Sequence, residues 1–499
     1  MPSESPPEQQ VKPESSLSQG FARSVRLNTY AEMGVQLLRV GGFVLVARAL
    51  EPGDFGLFKL LVVISALTTL TCQFGIPNAL VQKRDLRPDH EASGFWFSSG
   101  LTVIVIGSLY SGCWLIAGLM KMPAMVPSIR LLTIPLIIEA MSGIPAARLR
   151  RRLNFGPIAS AEVAAEIVFL STAMIFLWVL HLPRWSLVAG LAVRHVVHGS
   201  WIWIADGYVP RTLPRLHAFQ EIAYFALCVW CGAALQTLSA NIDYFLVGRL
   251  LGPAALGFYA MAWDLLRFVP DRLHRIAGRV TLPEFCRLQN SDRELGQAYV
   301  NFLGYVALIV LPIIACVAVA APVLIGVLYG PRWVPTALPL RLLAPGVALI
   351  GLRLGMSSVF LAKNRPVLDI YFHLGRLALV VLVVWELARY GIGGVALGMT
   401  SVESLVTGAG LLLACRMAGL KITDLATPVF AALETALVCG VSAAVGKYLG
   451  ILAGFDGALL LPFIAVPPSL LFWFFHGRTL IRFFVRPKVH SSAPDFSAT

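Results

Sequence analysis

The chain has 499 residues, of which 57% are hydrophobic and 13% are charged, and its net charge is +13. So small a charged fraction excludes an ordinary soluble protein, in which about 25% of residues are charged. Uncharged stretches such as residues 60–82 and 100–120 are long enough to cross the ~30 Å hydrocarbon core of a bilayer. The composition indicates an all-α integral membrane protein whose basic excess lies in loops rather than in a nucleic-acid site.

Apolar runs of about 20 residues predict about fourteen transmembrane helices. Residues 1–20 form a polar tail rich in Pro and Glu without an apolar core, so they are expected to be disordered and not a signal peptide. The predicted spans cover residues 23–48, 55–80, 93–119, 125–147, 157–180, 186–206, 220–247, 257–281, 299–329, 335–361, 367–388, 392–415, 427–449 and 457–476.

The basic residues alternate between the loops of this topology. If the N-terminus is cytoplasmic, the inner tails and loops hold 25 Lys and Arg and the outer loops hold 7. Cytoplasmic loops carry an excess of Lys and Arg in membrane proteins, so this asymmetry supports the topology. An even number of spans then places both termini in the cytoplasm.

A short stretch occurs twice, each time between two apolar runs. The identical positions, all 201 residues apart, are Arg48 and Arg249, Leu50 and Leu251, Pro52 and Pro253, and Gly56 and Gly257. Pro and Gly suit a tight turn between two helices. The repeat predicts a protein built from two similar halves, which is a common plan among transporters.

Besides the 32 basic residues assigned to tails and loops, some of which lie within span ends, eight fall inside the predicted spans, where a charge normally faces a water-filled cavity or a partner. Some of them form stripes with other polar residues at helical spacing. We expect a polar, cationic substrate cavity lined by Glu32, Gln36, Arg39, Asp243, Asp264, Arg267, Arg353 and Arg376. The alternative for Asp264 with Arg267, and for Asp369 with Arg376, is a buried structural ion pair.

Other buried polar residues leave the choice of a coupling site open. His195 and His198 lie three residues apart on one predicted helix, but no third metal ligand is evident and we predict no metal site. Intramembrane acids such as Glu139, Glu166 and Glu403 are candidates to carry a coupling proton, and nothing in the sequence selects one of them.

Residues 37–58 (LLRVGGFVLVARALEPGDFGLF) followed by FGIPNALVQKRDL resemble the opening of the Wzx-type flippases of the polysaccharide transporter family. These belong to the MOP superfamily with MATE efflux pumps and the lipid II flippase MurJ. The stretch from NIDYFLVGRLLGPAALGFYAM resembles the start of that family's second half, and LYGPRWVPTALPLRLLAPG a third family stretch. The last four spans are generic.

The resemblance implies two pseudo-symmetric six-helix bundles, residues 21–215 and 216–420, then two additional helices in residues 421–480 and a cytoplasmic tail in residues 481–499. It implies alternating access and an undecaprenyl-pyrophosphate-linked oligosaccharide as cargo. The expected location is the bacterial inner membrane, with membrane lipids, a polysaccharide polymerase and export machinery as partners. Planar guanidinium groups suit such an anionic head group because they bind phosphate bidentately.

Two other functions compete with the flippase. A MATE-like pump for small organic cations would favour acids over arginines in the cavity, opposite to the balance found here. A membrane glycosyltransferase or polymerase would display a larger catalytic loop than the longest one here, so we predict no enzymatic activity. No cofactor is expected, and H⁺, Na⁺ or the membrane potential remain open as the energy source. The glycan is not specified.

Overall fold

The computed structural model describes residue 34, residues 41–365 and residues 367–485. Every regular element within these ranges is a helix, and no strand occurs among them. This confirms the all-α fold class. The described residues form two compact units that divide between Gly257 and Phe258.

The first unit contains a helix over residues 41–49, followed by eight helices that we number from α1. These are α1 (Pro52–Gln73), α2 (Ile76–Gln82), α3 (Pro88–Met120), α4 (Met125–Met141), α5 (Gly143–Arg151), α6 (Gly156–Met174), α7 (Pro183–Asp206) and α8 (Leu216–Leu251). Many begin with Pro in the first turn, where the missing N–H has no helical partner to lose. A π-helical turn, Ile175–Val179, ends α6.

The boundary between the units falls within α9 (Pro253–Arg287). The later helices belong to the second unit. They are α10 (Asp292–Tyr329), α11 (Ala337–Leu352), α12 (Met356–Ala362), α13 (Val367–Leu387), α14 (Gly391–Met417), α15 (Ile422–Leu452) and α16 (Leu460–Val485). Gly252 and Gly330, both with positive φ, end α8 and α10.

Ten helical stretches within the described residues are long and apolar enough to cross a membrane. One of them, residues 367–417, joins α13 and α14. Helices cover every predicted span from the second to the fourteenth, whereas most of the first, residues 23–48, lies outside the described residues. The protein is therefore a multi-pass membrane protein, and the count of fourteen spans stays a prediction.

Three of the predicted spans are broken rather than continuous helices. The second divides into α1 and α2 at Phe74 and Gly75. The fourth divides into α4 and α5 at Ser142, and the tenth divides into α11 and α12 at Arg353 to Gly355. Gly355 has φ 83°, a left-handed conformation that glycine adopts without strain. Interrupted transmembrane helices commonly place backbone and side-chain groups at a binding site.

Ion pairs tie together the helix ends on the predicted cytoplasmic side of the first unit. Arg148 bonds both Glu91 and Asp206, the latter at 2.8 Å from Nε, and its guanidinium lies 4.8 Å from the Tyr208 ring. Burial and the nearby charge of Glu91 raise the pKa of Tyr208 to about 12, so its hydroxyl stays neutral. These contacts hold the basic loops in place.

Candidate functional site

A buried carboxylate in the second unit holds two arginines. Glu403, near the middle of α14, has a fully buried side chain. Arg376 of α13 donates to its Oε1 atom from Nε at 2.8 Å, and its Nη2 lies 2.6 Å from the same oxygen. Arg353 Nη1 donates to the other oxygen, Oε2, at 3.4 Å. One carboxylate therefore orients two guanidinium groups.

Arg353 lies at the break between α11 and α12. Its backbone N–H ends α11 by donating to the carbonyls of Leu349 and Ile350, and Gly355 then turns the chain into α12. A helix C-terminus carries partial negative charge, which favours a cation there. The break thus places the Arg353 guanidinium within the predicted span, between the end of α11 and the start of α12.

Further charged groups surround this triad. Asp369 of α13 accepts from the Ser357 hydroxyl at 2.8 Å and lies 3.7 Å from His373 Nε2. Arg267 of α9 lies 3.4 Å from Asp271 and 5.9 Å from the centroid of the Trp263 ring. The charges of Arg376, Arg267 and Asp369 all act on Arg353.

The triad carries a net positive charge in a low-dielectric setting. Two guanidinium groups and one carboxylate give the triad a formal charge of +1, and Glu403 and Arg376 are its two almost fully buried members. The Arg353 side chain keeps 23% of its surface exposed. An anion can therefore reach the exposed part of Arg353, while Glu403 orients the guanidinium group. Charge-assisted bonds of this kind are about twice as strong as neutral ones.

Three of the predicted cavity arginines, Arg267, Arg353 and Arg376, lie in this region of the second unit. Asp264 is an exposed residue of α9, and Asp243 of α8 is fully buried in the first unit. The remaining predicted residues, Glu32, Gln36 and Arg39, lie outside the described residues. The assignment of all eight to one substrate cavity stays a prediction.

Sequence reasoning did not identify Glu403 as the partner of these arginines. It considered Asp369 as the partner of Arg376, whereas Arg376 bonds Glu403. Glu403 is an uncommon acid in an apolar helix of small residues, GIGGVALGMTSVESLVTG, and that was the one signal available. Pairing it required knowing that α13 and α11 pack against α14.

The fold resembles that of known helical membrane transporters. Over 92% of this chain it matches all of the lipid II flippase MurJ in an inward closed conformation, with a TM-score of 0.71 and 12% identity. An inward-facing MATE multidrug resistance transporter of the MOP superfamily matches 77% of this chain and 94% of its own, with a TM-score of 0.65 and 16% identity. At these identities the likeness concerns the fold.

The chain belongs to the polysaccharide biosynthesis protein family, whose model matches residues 45–338. It is 23% identical to the lipopolysaccharide biosynthesis protein WzxC of Escherichia coli over 72% of this chain and 74% of that protein. It is 21% identical to the teichuronic acid biosynthesis protein TuaB of Bacillus subtilis over 75% and 78% of the two chains. The resemblance seen in the sequence is thereby confirmed.

Proposed function

We infer that this protein is a flippase that moves a polyprenyl-pyrophosphate-linked oligosaccharide from the cytoplasmic to the outer leaflet of a bacterial inner membrane, with both termini cytoplasmic. The observation that carries this inference is the Arg353–Glu403–Arg376 triad, a net cation inside the spans of a transporter fold. A pyrophosphate entering the membrane interior needs compensating charge, and guanidinium groups supply it with bidentate geometry.

The relatives fit this proposal. WzxC, TuaB and the succinoglycan biosynthesis transport protein ExoT of Rhizobium meliloti are all named for the synthesis or transport of polysaccharides, and MurJ is named as a flippase of lipid II. We propose that Arg353 binds the phosphate from the exposed side of the triad. The lipid tail stays in the bilayer, the sugars cross in a polar cavity, and no covalent bond is made or broken. The polymerase and export machinery that consume the cargo are the proposed partners.

Leaflet accessibility of the lipid-linked glycan tests the proposal in cells whose own copy is deleted. The deletion strain is complemented with the wild type, with Arg353→Ala or with Arg341→Ala. Arg341 is the matched control because it lies on the same helix, exposed, with its Nε donating to the Ala318 carbonyl. Losing a charge-assisted hydrogen bond costs ~1.5–3 kcal/mol, which corresponds to a fall in transport of roughly 10- to 150-fold.

We expect the glycan carrier to accumulate on the cytoplasmic leaflet in the deletion strain and with Arg353→Ala, and to reach the outer leaflet with Arg341→Ala. Normal translocation in the deletion strain would contradict the flippase function. If the carrier accumulates on the cytoplasmic leaflet in the deletion strain but not with Arg353→Ala, the flippase function stands and Arg353 is not part of the substrate site. Immunoblots of the membrane fraction establish equal amounts of each variant.

A further inference from the structure

A second buried cluster, in the first unit, consists of titratable side chains. Glu139 lies near the end of α4, and His195 and His198 lie one turn apart on α7. His198 Nδ1 is 3.0 Å from Glu139 Oε1, and His195 Nδ1 is 3.8 Å from Glu139 Oε2. The side chains keep only 11–19% of their surface exposed. Thus one carboxylate faces two imidazoles inside a membrane span.

The charge around this cluster leaves room for one proton. A second acid, Glu166 of α6, lies 3.7 Å from Arg194 of α7. With both imidazoles neutral, Glu139 is an uncompensated anion in the membrane, which is unfavourable. One proton on either histidine cancels that charge, and histidine is the side chain whose ordinary pKa allows exchange near neutral pH.

Charged groups on the other elements packed against α4 and α7 have partners of their own. Lys59 of α1 lies over the Phe55 ring, and Arg130 of α4 lies over the Tyr110 ring of α3. Arg148 of α5 pairs with Glu91 and Asp206, and Asp54 of α1 lies near Arg184. Glu162 of α6 is exposed. Within the described part of the chain, Glu139 is the carboxylate paired with both His195 and His198.

This cluster and the arginine triad each lie near the break of a predicted span. Glu139 lies beside the break of the fourth span, as Arg353 lies at the break of the tenth. Glu166 and Arg376 lie on the fifth and eleventh spans, and each pairs with the span after it. The triad holds one acid between two guanidinium groups, and the first unit holds one acid against two imidazoles.

We propose that Glu139, His195 and His198 form a proton-binding site, which loads one proton onto the imidazole pair and releases it as the first unit changes conformation. The arginine triad presents fixed positive charge to an anion, and this site takes up a mobile cation. That the bound proton drives export rests on the proposed function.

A structural zinc ion would need four ligands, and no suitable group of three or more His, Cys, Asp or Glu is found in the part of the chain described.

Charge displacement on a pH jump tests proton binding without any substrate. The full-length protein is reconstituted in liposomes on a solid-supported membrane, and the pH is stepped from about 8 to about 5.5, across the range in which histidine titrates. The wild type is compared with Glu139→Gln, with His195→Asn and His198→Asn singly and together, and with His181→Asn. His181 is the control because it is exposed in the turn before α7.

We expect a transient current from the wild type and from His181→Asn, and a current at the level of protein-free liposomes from the double variant and from Glu139→Gln. A wild type without current, or a double variant with undiminished current, overturns the proposal. Size-exclusion profiles confirm that each variant is folded. If the double variant does not fold, the single His198→Asn variant, which removes the 3.0 Å contact, decides by the same criterion.

A second arm separates this proposal from the flippase function. Outer-leaflet delivery of the lipid-linked glycan is followed in cells with and without a protonophore. If the wild-type protein shows the current but the deletion strain delivers the glycan normally, the proton site is supported and the flippase function is refuted. If delivery requires the protein but is changed neither by the protonophore nor by the double variant, the flippase function stands. The proton site then does not drive export.

Discussion

Gly56 of α1 lies against the backbone of Pro253, the first residue of α9. A Cβ atom on Gly56 would come within 2.1 Å of the Pro253 carbonyl oxygen, and one on Gly257 within 1.8 Å of the Pro52 carbonyl oxygen. These four residues are the Pro and Gly positions of the repeated stretch, so each copy buries its Gly against the Pro of the other. The repeat is thus a reciprocal contact between the first turns of two helices.

Alanine at either glycine should destabilise the protein strongly. Overpacking of a well-packed site typically costs ~1–3 kcal/mol, and here the obstacle is backbone, which cannot rotate away, so the upper end is expected. Gly53→Ala is the control because its Cβ would meet atoms no closer than 3.9 Å. Thermal unfolding in detergent should show a lower Tm for Gly56→Ala and Gly257→Ala, and an almost unchanged one for Gly53→Ala. Equal melting of all three would refute the close contact.

Much of this fold could be predicted because the bilayer constrains sequence so directly. Long apolar runs separated by basic or Gly/Pro-containing loops located the helices from residue 52 onward. The breaks of the fourth and tenth spans were harder to predict. Pro145 follows the first break, and Gly351 and Gly355 flank the second, but such residues also occur in unbroken transmembrane helices.

The arginines of the candidate site could be predicted from the sequence, but the contacts that they make could not. Arg353 and Arg376 stood out because charge is costly in an apolar span. Their partner, Glu403, lies 50 and 27 residues away along the chain, so helical spacing could not connect them. The same holds for Glu139, which lies 59 residues from His198. Contacts between helices depend on tertiary packing, for which a single sequence carries no periodic signal.

Neutralising Glu403 should destabilise the second unit. Glu403→Gln keeps the shape of the side chain but removes the carboxylate charge that Arg353 and Arg376 share, and breaking a buried ion pair typically costs ~3–5 kcal/mol. Glu386→Gln is the control, since Glu386 and Arg389 form an exposed pair at 3.9 Å, of a kind that contributes less than ~1 kcal/mol. We expect a clear fall in Tm for the first variant only. A Tm for Glu403→Gln equal to that of the wild type would show that the triad is not coupled to stability.

The conformation of the chain at Gly355 should control the orientation of Arg353. Alanine there would strain a backbone at φ 83° and bring a Cβ within 2.9 Å of the Phe302 ring. Gly375→Ala is the control because that glycine is helical and faces open space. We expect Gly355→Ala to reduce glycan translocation and Tm together, whereas Gly375→Ala should preserve both. Full translocation by Gly355→Ala would mean that the left-handed turn is dispensable.

Replacing Arg353 with lysine should separate charge from geometry. Lysine retains the positive charge, but it lacks the planar fork that binds phosphate through two parallel hydrogen bonds. Arg353 is partly exposed, so the exchange should change Tm little, while translocation should fall by about tenfold, equivalent to ~1.4 kcal/mol. Arg341→Lys, on the same helix, is the control and should transport as the wild type does. If Arg353→Lys also transports at the wild-type rate, Arg353 supplies only its charge, and a bidentate contact with phosphate is ruled out at this position.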